Sequence, residues 1–441
     1  MKSFYLHKLG CPKNDVDAEY IAGFLRGHKL VEVDNPETAD ILIVNTCGFI
    51  QPAKEESIDA ILELARIKEE YGNKKLIVTG CLSQRYADEL ASDIAEADGI
   101  FGIENFTEIE KLLGTKAKRI ISRQSEESGY REYDFNRAVD ASQPFAYLKI
   151  SEGCDNRCSY CAIPDIRGNF RSRAIEKIVS EAEFLLKSGK KELILVSQEC
   201  TAYGRDIYGE RRLIALLEAL SGLSGDFWLR IMYMHPARLD TELIDYMIDN
   251  GRICNYFDLP LQHIDDSLLR SMGRQVNRKK ITDLLAYIRS REQRVVVRTN
   301  FILGYPGETE EMFEDLCWFI REQEFDRLGA FVFSPEEGTR AAELPGQIDD
   351  LTREKRYHRV MEIQRDIAFD KNEEDVGIVT DVLVDTVDRE NNHAIARTRF
   401  DAPEIDQIVR LDCADINPGD IIRVKITGYD GYDLLGAREE Q

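Results

Sequence analysis

The sequence lacks any long apolar run: no window of its 441 residues approaches the roughly 18 apolar positions of a membrane-crossing helix. Its opening, MKSFYLHKLG, also lacks the unbroken apolar core of a secretory signal. The expectation is therefore a cytoplasmic protein with no membrane partner. Basic charge is scarce, with 58 Lys and Arg against 81 Asp and Glu and a net charge of −23. That balance disfavours an unaided electrostatic grip on nucleic acid and suits a basic partner. No P-loop and no nucleophile-elbow motif is present, and no two Cys or His pairs stand at the spacing of a structural zinc site. The ten cysteines, in a reducing compartment, then read as metal ligands, catalytic thiols or buried residues rather than disulfides.

What is present divides into three parts. From 1 to 120, the apolar runs Phe4 to Leu9, Ile41 to Val44 and Leu76 to Thr79 alternate with helical patterns, the signature of a doubly wound α/β domain. The first helix carries Val16, Tyr20, Ile21, Phe24 and Leu25 at helical spacing, with Asn14 or Asp15 as the expected cap. Each run is followed by a lone cysteine, Cys11, Cys47 or Cys81. Loops leaving the carboxyl ends of parallel strands gather at one edge, so these three can meet in space. Taken singly, each is as well explained as a buried structural cysteine.

Residues 121–140 are polar and read as a linker. From 141 to 372, FAYLKIS and the runs Glu192 to Val196, Phe227 to Tyr233, Tyr256 to Leu259, Val295 to Leu303 and Leu328 to Phe333 suggest a parallel β/α barrel, complete or partial, whose working face lies at the strands' carboxyl ends. A long polar helix starting near 352 leads out of it. From 373 to 441, the runs Val379 to Val384, Ala394 to Arg399 and Ile421 to Ile426, broken by turn signals, suggest a small all-β domain.

The barrel's first strand runs into SEGCDNRCSYC, which holds Cys154, Cys158 and Cys161 spaced Cys-x3-Cys-x2-Cys. Zinc closes with four ligands, and the nearest downstream candidates, Cys200 and His235, come singly. A four-iron cluster held by three thiolates, with one iron left open to a small molecule, fits better.

CDNRCSYC, with Tyr160 just before the third cysteine, resembles the signature of radical S-adenosylmethionine enzymes. The resemblance implies that S-adenosylmethionine fills the open iron and is cleaved to a 5′-deoxyadenosyl radical, which takes hydrogen from an unactivated carbon. It further implies cofactor contacts from Tyr160, from Gln198 and Glu199 in VSQECTAYGRD, and from Arg298 in RTNFILGYPGET, with Gln262 and His263 on the cavity wall. The order of α/β domain, triplet barrel and small β domain of the TRAM type resembles the methylthiotransferase family over essentially the whole chain. By that resemblance Cys11, Cys47 and Cys81 ligate a second 4Fe-4S cluster, and S-adenosylmethionine serves both as radical source and as methyl donor. A sulfide or polysulfide donor and an electron donor such as flavodoxin are implied as partners.

The family divides by substrate, between an adenosine of transfer RNA and an aspartate β-carbon of a small-subunit ribosomal protein, S-twelve. LGCPKNDVDAE, NTCGFI, KISEGCDNRCSYCAIPDIRGNFRSR and FSPEEGTRA resemble the second branch. Residues 376–441 carry fourteen Asp and Glu against seven Lys and Arg, a net charge of −7 (7 − 14). An RNA-holding domain is expected to be basic, so the acidic one favours a basic ribosomal protein and disfavours transfer RNA. The competing readings are transfer-RNA methylthiolation and a non-catalytic iron–sulfur scaffold or electron carrier. Cys200, Cys254, Cys317 and Cys413 have no partner spacing, and burial is expected for each.

Overall fold

The computed structural model of the protein describes residues 2–114, 120–122, 130–133 and 137–439. Half of the expected linker, 123–129 and 134–136, lies outside the described residues.

The N-terminal sheet comprises β1 (Ser3–Lys8), β2 (Val31–Glu32), β3 (Ile41–Thr46), β4 (Lys75–Gly80), β5 (Gly99–Phe101) and β6 (Ile120–Ser122), all parallel, in the order β2-β1-β3-β4-β5-β6. ILIVNT of β3 is buried at every position. Ile41 and Ile43 face a core with Phe4, Val16 and Tyr20, while Leu42 and Val44 face another with Ile61 and Leu64. A parallel strand covered on both faces needs such a continuous apolar run. The strand order reverses between β1 and β3, which opens a crevice at their carboxyl ends. Cys11 and Cys47 follow those two strands, and Cys81 follows the next.

The helix Pro12–Gly27 starts one turn earlier than expected, with Cys11 as N-cap and proline in its first turn. Proline's fixed φ and missing N–H suit that position, which leaves Asn14 for other work. The expectation of an Asn14 or Asp15 cap is corrected accordingly.

In the central part, β7 (Phe145–Lys149) is followed by a short antiparallel pair, β8 (Ser151–Glu152) and β9 (Arg171–Ser172). The barrel continues with β10 (Glu192–Val196), β11 (Trp228–Ile231), β12 (Tyr256–Gln262), β13 (Val296–Leu303) and β14 (Arg327–Val332). They pair in parallel as β11-β10-β7 and β12-β13-β14, and a lone parallel bridge, Leu229 to Ile253, joins the two halves. Among the described residues β7 and β14 do not pair, so the barrel is partial. The helix Asp350–Asp375, capped by Asp349, buries Val360 and Ile363 in the barrel's core.

The chain then forms a closed barrel of β15 (Val379–Asp388), β16 (His393–Thr398), β17 (Val409–Leu411), β18 (Ile421–Asp430) and β19 (Asp433–Arg438), in the order β15-β16-β17-β19-β18. Val382, Val384, Ala396, Val409, Val424 and Leu434 fill it. The three parts share buried surface: Phe4 and Ile43 pack in one core with Tyr147, Ile194, Trp228 and Leu383. Glu192 of β10 accepts from Arg230 at 2.7 Å and from Arg397 of β16 at 2.8 Å, a fully buried ionic tie between the barrel and the last domain. Among the described residues, no helix is long and apolar enough to cross a membrane.

Candidate functional site

The loops carrying Cys11, Cys47 and Cys81 approach closely at two glycines that leave little room for anything larger. A Cβ at Gly10 would lie 3.0 Å from Cys47 Cβ and 3.3 Å from its Sγ, and one at Gly48 would lie 2.8 Å from Leu82 N and Cα. Ser57 fixes the middle loop by accepting from Cys47 N and donating to Cys47 O, both at 2.9 Å. Asn14 braces the crevice by donating to Leu9 O at 2.7 Å and to Thr46 O at 2.9 Å. Burial pushes the Cys81 thiol up to about 12 and also raises Cys47, with charge at Cys11 adding to both. Thiols that feel one another and hold their protons this firmly release them to a soft metal on binding.

The second trio sits at the carboxyl end of β7. Gly153 turns the chain with φ +76, and a Cβ there would fall 2.1 Å from Asn169 O. Cys154 N donates to Gly168 O at 3.1 Å, and Asn156 Nδ2 lies 3.4 Å from Cys154 Sγ. The Cys154 thiol is raised to about 11 by burial, and Cys161 is raised further by burial and by Cys158. Arg274 Nη1 reaches Cys158 Sγ at 4.0 Å while Nη2 donates to Pro260 O at 2.5 Å.

The two trios belong to one assembly. The helix Cys81–Arg85 packs on the helix Ile163–Arg167 that follows the triplet, and Cys81 shares an apolar cluster with Ala162 and Ile166. The fully buried Arg167 donates to Cys81 Sγ at 3.3 Å, Asn14 Oδ1 at 2.8 Å, Asp17 at 3.2 Å and Glu152 at 2.9 and 3.0 Å. Lys149 completes this buried network by pairing with Asp17 and, at 2.8 Å, with Glu152. On the far side, Glu336 of FSPEEGTRA takes Lys54 at 2.9 Å and Arg85 at 3.1 Å from the first domain.

Of the other expected site residues, Glu199 lies beside the triplet: its carboxylate accepts from Asn156 at 2.5 Å and from Arg238 at 3.0 and 3.1 Å. Gln198 donates to Glu152 at 2.9 Å, and its Oε1 is buried without a partner among the described residues. Tyr160 packs against the cluster of Leu268, Met272, Tyr305 and Phe333. Arg298 is paired, its guanidinium on Asp258 at 3.1 Å and on Asp406 of the last domain at 3.6 Å. His263 is fully buried, and its pKa is lowered to about 4 by burial. Gln262 is buried beside it, with φ +73. Cys200, Cys254 and Cys317 are buried as expected, whereas Cys413 is half-buried against the small barrel's core. Sequence reasoning missed Arg167, Arg274, Asn156 and Lys13. Asn156 and Arg167 stand inside KISEGCDNRCSYCAIPDIRGNFRSR, and only folding reveals their partners.

Both trios fit a 4Fe-4S cluster in donor chemistry: three thiols each, with tight glycine turns that hold the loops in place. Among the described residues no three His, Cys, Asp or Glu side chains converge as ligands of a single metal ion.

The profile of the Radical SAM superfamily matches residues 148–320, that of Uncharacterized protein family UPF0004 matches 3–102, and that of the TRAM domain matches 376–438. A protein of Desulforamulus reducens named Ribosomal protein uS12 methylthiotransferase RimO is 45% identical over 99% of this chain and 99% of its own length. The chain belongs to the uS12 methylthiotransferase family. Its likeness to the Aquifex aeolicus protein of the same name is 43% over 98% of this chain and 96% of that one. Among solved structures, a radical S-adenosylmethionine methyltransferase, TsrM, from Kitasatospora setae superposes with a TM-score of 0.57 at 14% identity, over 77% of this chain and 74% of that one. OxsB, a cobalamin-dependent S-adenosylmethionine radical enzyme, gives 0.52 at 12% identity, over 83% and 56%. At such identities these two report on the fold of this family member alone.

Proposed function

We propose that this protein methylthiolates the β-carbon of an aspartate in ribosomal protein uS12 by radical S-adenosylmethionine chemistry in the cytoplasm. The observation that carries the reading is the direct packing of the two cysteine trios across Arg167, in a chain alike over its full length to relatives of that name. A lone triplet accounts for radical formation and leaves the first domain's three cysteines without a task.

Cys154, Cys158 and Cys161 would hold the cluster that, with S-adenosylmethionine, supplies the hydrogen-abstracting radical. Cys11, Cys47 and Cys81 would hold a second 4Fe-4S cluster that supplies the sulfur group. Asn156, Glu199 and Arg238 order one wall of the triplet, and Tyr160, seated on the Leu268 cluster, orders the other. Gln198 offers an unpaired carbonyl toward the cofactor's polar groups. Arg167, Lys149, Asp17 and Glu152 lock the two halves together and exclude water from between them. A sulfide or polysulfide donor and an electron donor of the flavodoxin kind complete the partners. The domain limits 1–120, 121–140, 141–372 and 373–441 are part of this reading, supported by family profiles that fall inside them.

The acidic β domain supports a basic ribosomal protein over transfer RNA, because phosphate contacts supply most RNA affinity. The test is anaerobic reconstitution followed by a choice of substrates. A methylthio group appearing on uS12 supports the reading, and one appearing on transfer RNA overturns it.

A further inference from the structure

Lys13 stands two residues past Cys11, in the first turn of its helix, and is 7% exposed. A cation at a helix N-terminus faces the positive end of the dipole, so helix stability does not account for it there. Burial makes the cost of a lone ammonium larger still.

The protein's other buried lysines are satisfied by oxygen. Lys149 takes Asp17 and Glu152, and Lys74 donates to Glu37 O and Ala39 O at 2.5 and 2.7 Å. Lys190 donates to the carbonyls of Asp140 and Gln143. Lys13 has no such partner: among the described residues no carboxylate lies within ion-pair distance, and its Nζ rests 3.5 Å from the centre of the Tyr233 ring. A π face attracts a cation by about 2 kcal/mol or more once desolvated, and neither the ring nor its hydroxyl carries the full negative charge of a carboxylate.

Tyr233 is itself held in an unusual state. It follows β11 with φ +58, a conformation costly for a bulky residue and tolerated where the surroundings impose it. Its amide donates to Asp258 Oδ2 at 2.8 Å and its carbonyl accepts from Cys200 N at 3.0 Å, which fixes the ring beneath the ammonium. Lys13 stands at the carboxyl end of β1 and Tyr233 at that of β11. The pair therefore marks where the working edges of the first two domains meet.

We infer that Lys13 receives the side-chain carboxylate of the substrate aspartate and so selects that residue, an assignment that rests on the function proposed above. The carboxylate is bonded directly to the β-carbon that reacts. Seating it on a fixed ammonium places that carbon within one bond of a known point. A desolvated cation also rejects an uncharged isostere, because the isostere leaves it unpaired. The competing role is electrostatic support of the neighbouring Cys11 site.

The test uses the full chain with its clusters reconstituted, and measures binding of uS12 and of uS12 with the target aspartate changed to asparagine. The wild-type protein should bind the aspartate form at least about tenfold more tightly, as expected when one member of a buried charge pair is lost. Lys13→Met should bind the two forms equally, while Lys13→Arg should keep the preference; iron content and the electron paramagnetic resonance spectrum of each variant monitor the clusters. Lys13→Met retaining the wild-type preference would overturn the assignment, as would loss of the preference in Lys13→Arg with its iron intact. If wild-type protein adds no methylthio group to uS12, the parent reading falls and this one with it.

Discussion

Arg167 donates to Cys81 Sγ at 3.3 Å across 86 residues of sequence, from a helix that follows one cysteine trio to a thiol of the other. The same guanidinium satisfies Glu152, Asp17 and Asn14. Removing it takes the guanidinium from two buried carboxylates that keep Lys149 as a partner, so the loss is a part of the about 3–5 kcal/mol of a fully broken buried pair. Arg167→Met should therefore lower the thermal midpoint by many degrees and deplete iron at the Cys81 site, read by calorimetry and iron analysis. Stability and iron both at wild-type levels would refute this role.

If the trios are separate sites, changing Cys11, Cys47 and Cys81 together to Ala should remove about half the iron and leave reductive cleavage of S-adenosylmethionine in place. Methylthio transfer should disappear. Loss of all iron would mean that the sites load as one unit.

Two glycines give a sharper dissection. Gly153→Ala places a Cβ 2.1 Å from Asn169 O and should abolish cofactor cleavage by displacing the triplet loop. Gly80→Ala places one 2.5 Å from Thr46 O and should spare cleavage while losing methylthio transfer, since the clash falls between the turns that carry Cys47 and Cys81. Cleavage assays on both variants with substrate analysis by mass spectrometry decide whether the defects separate this way.

Asp15 is half-buried, and burial, joined by Glu404, Glu19 and Asp17 against the opposing Lys8, raises its pKa from 3.8 to about 6. The folded protein holds this proton more tightly than the unfolded chain does. Its contribution to stability is thus full below pH 3.8 and is lost as pH rises through about 6. Asp15→Asn should be more stable than wild type at pH 8, by about 1 kcal/mol, and match it near pH 4. An equal shift at both pH values would exclude this titration as the cause.

Much of the fold was legible because burial on both faces writes β3 as ILIVNT and β10 as ELILV, while turn residues punctuate the rest. Strands of two or three residues, β2, β5, β6, β8, β9 and β17, carry too few positions for a period to register. The six cysteines proposed as cluster ligands were legible through spacing and through their place after strands. The residues around them were not, since Arg167 meets Cys81, and Lys13 meets Tyr233, only through the fold. The strand of Arg298 was legible too, and its pairing with Asp258 and Asp406 comes only from the fold.

The most direct test of the account is mass spectrometry of uS12 after incubation with reconstituted protein, reductant, S-adenosylmethionine and sulfide. The account requires one methylthio group in place of one hydrogen on an aspartate, and none with the Cys11, Cys47 and Cys81 variant. Cofactor cleavage with uS12 unchanged, or a methylthio group gained by transfer RNA instead, would contradict it.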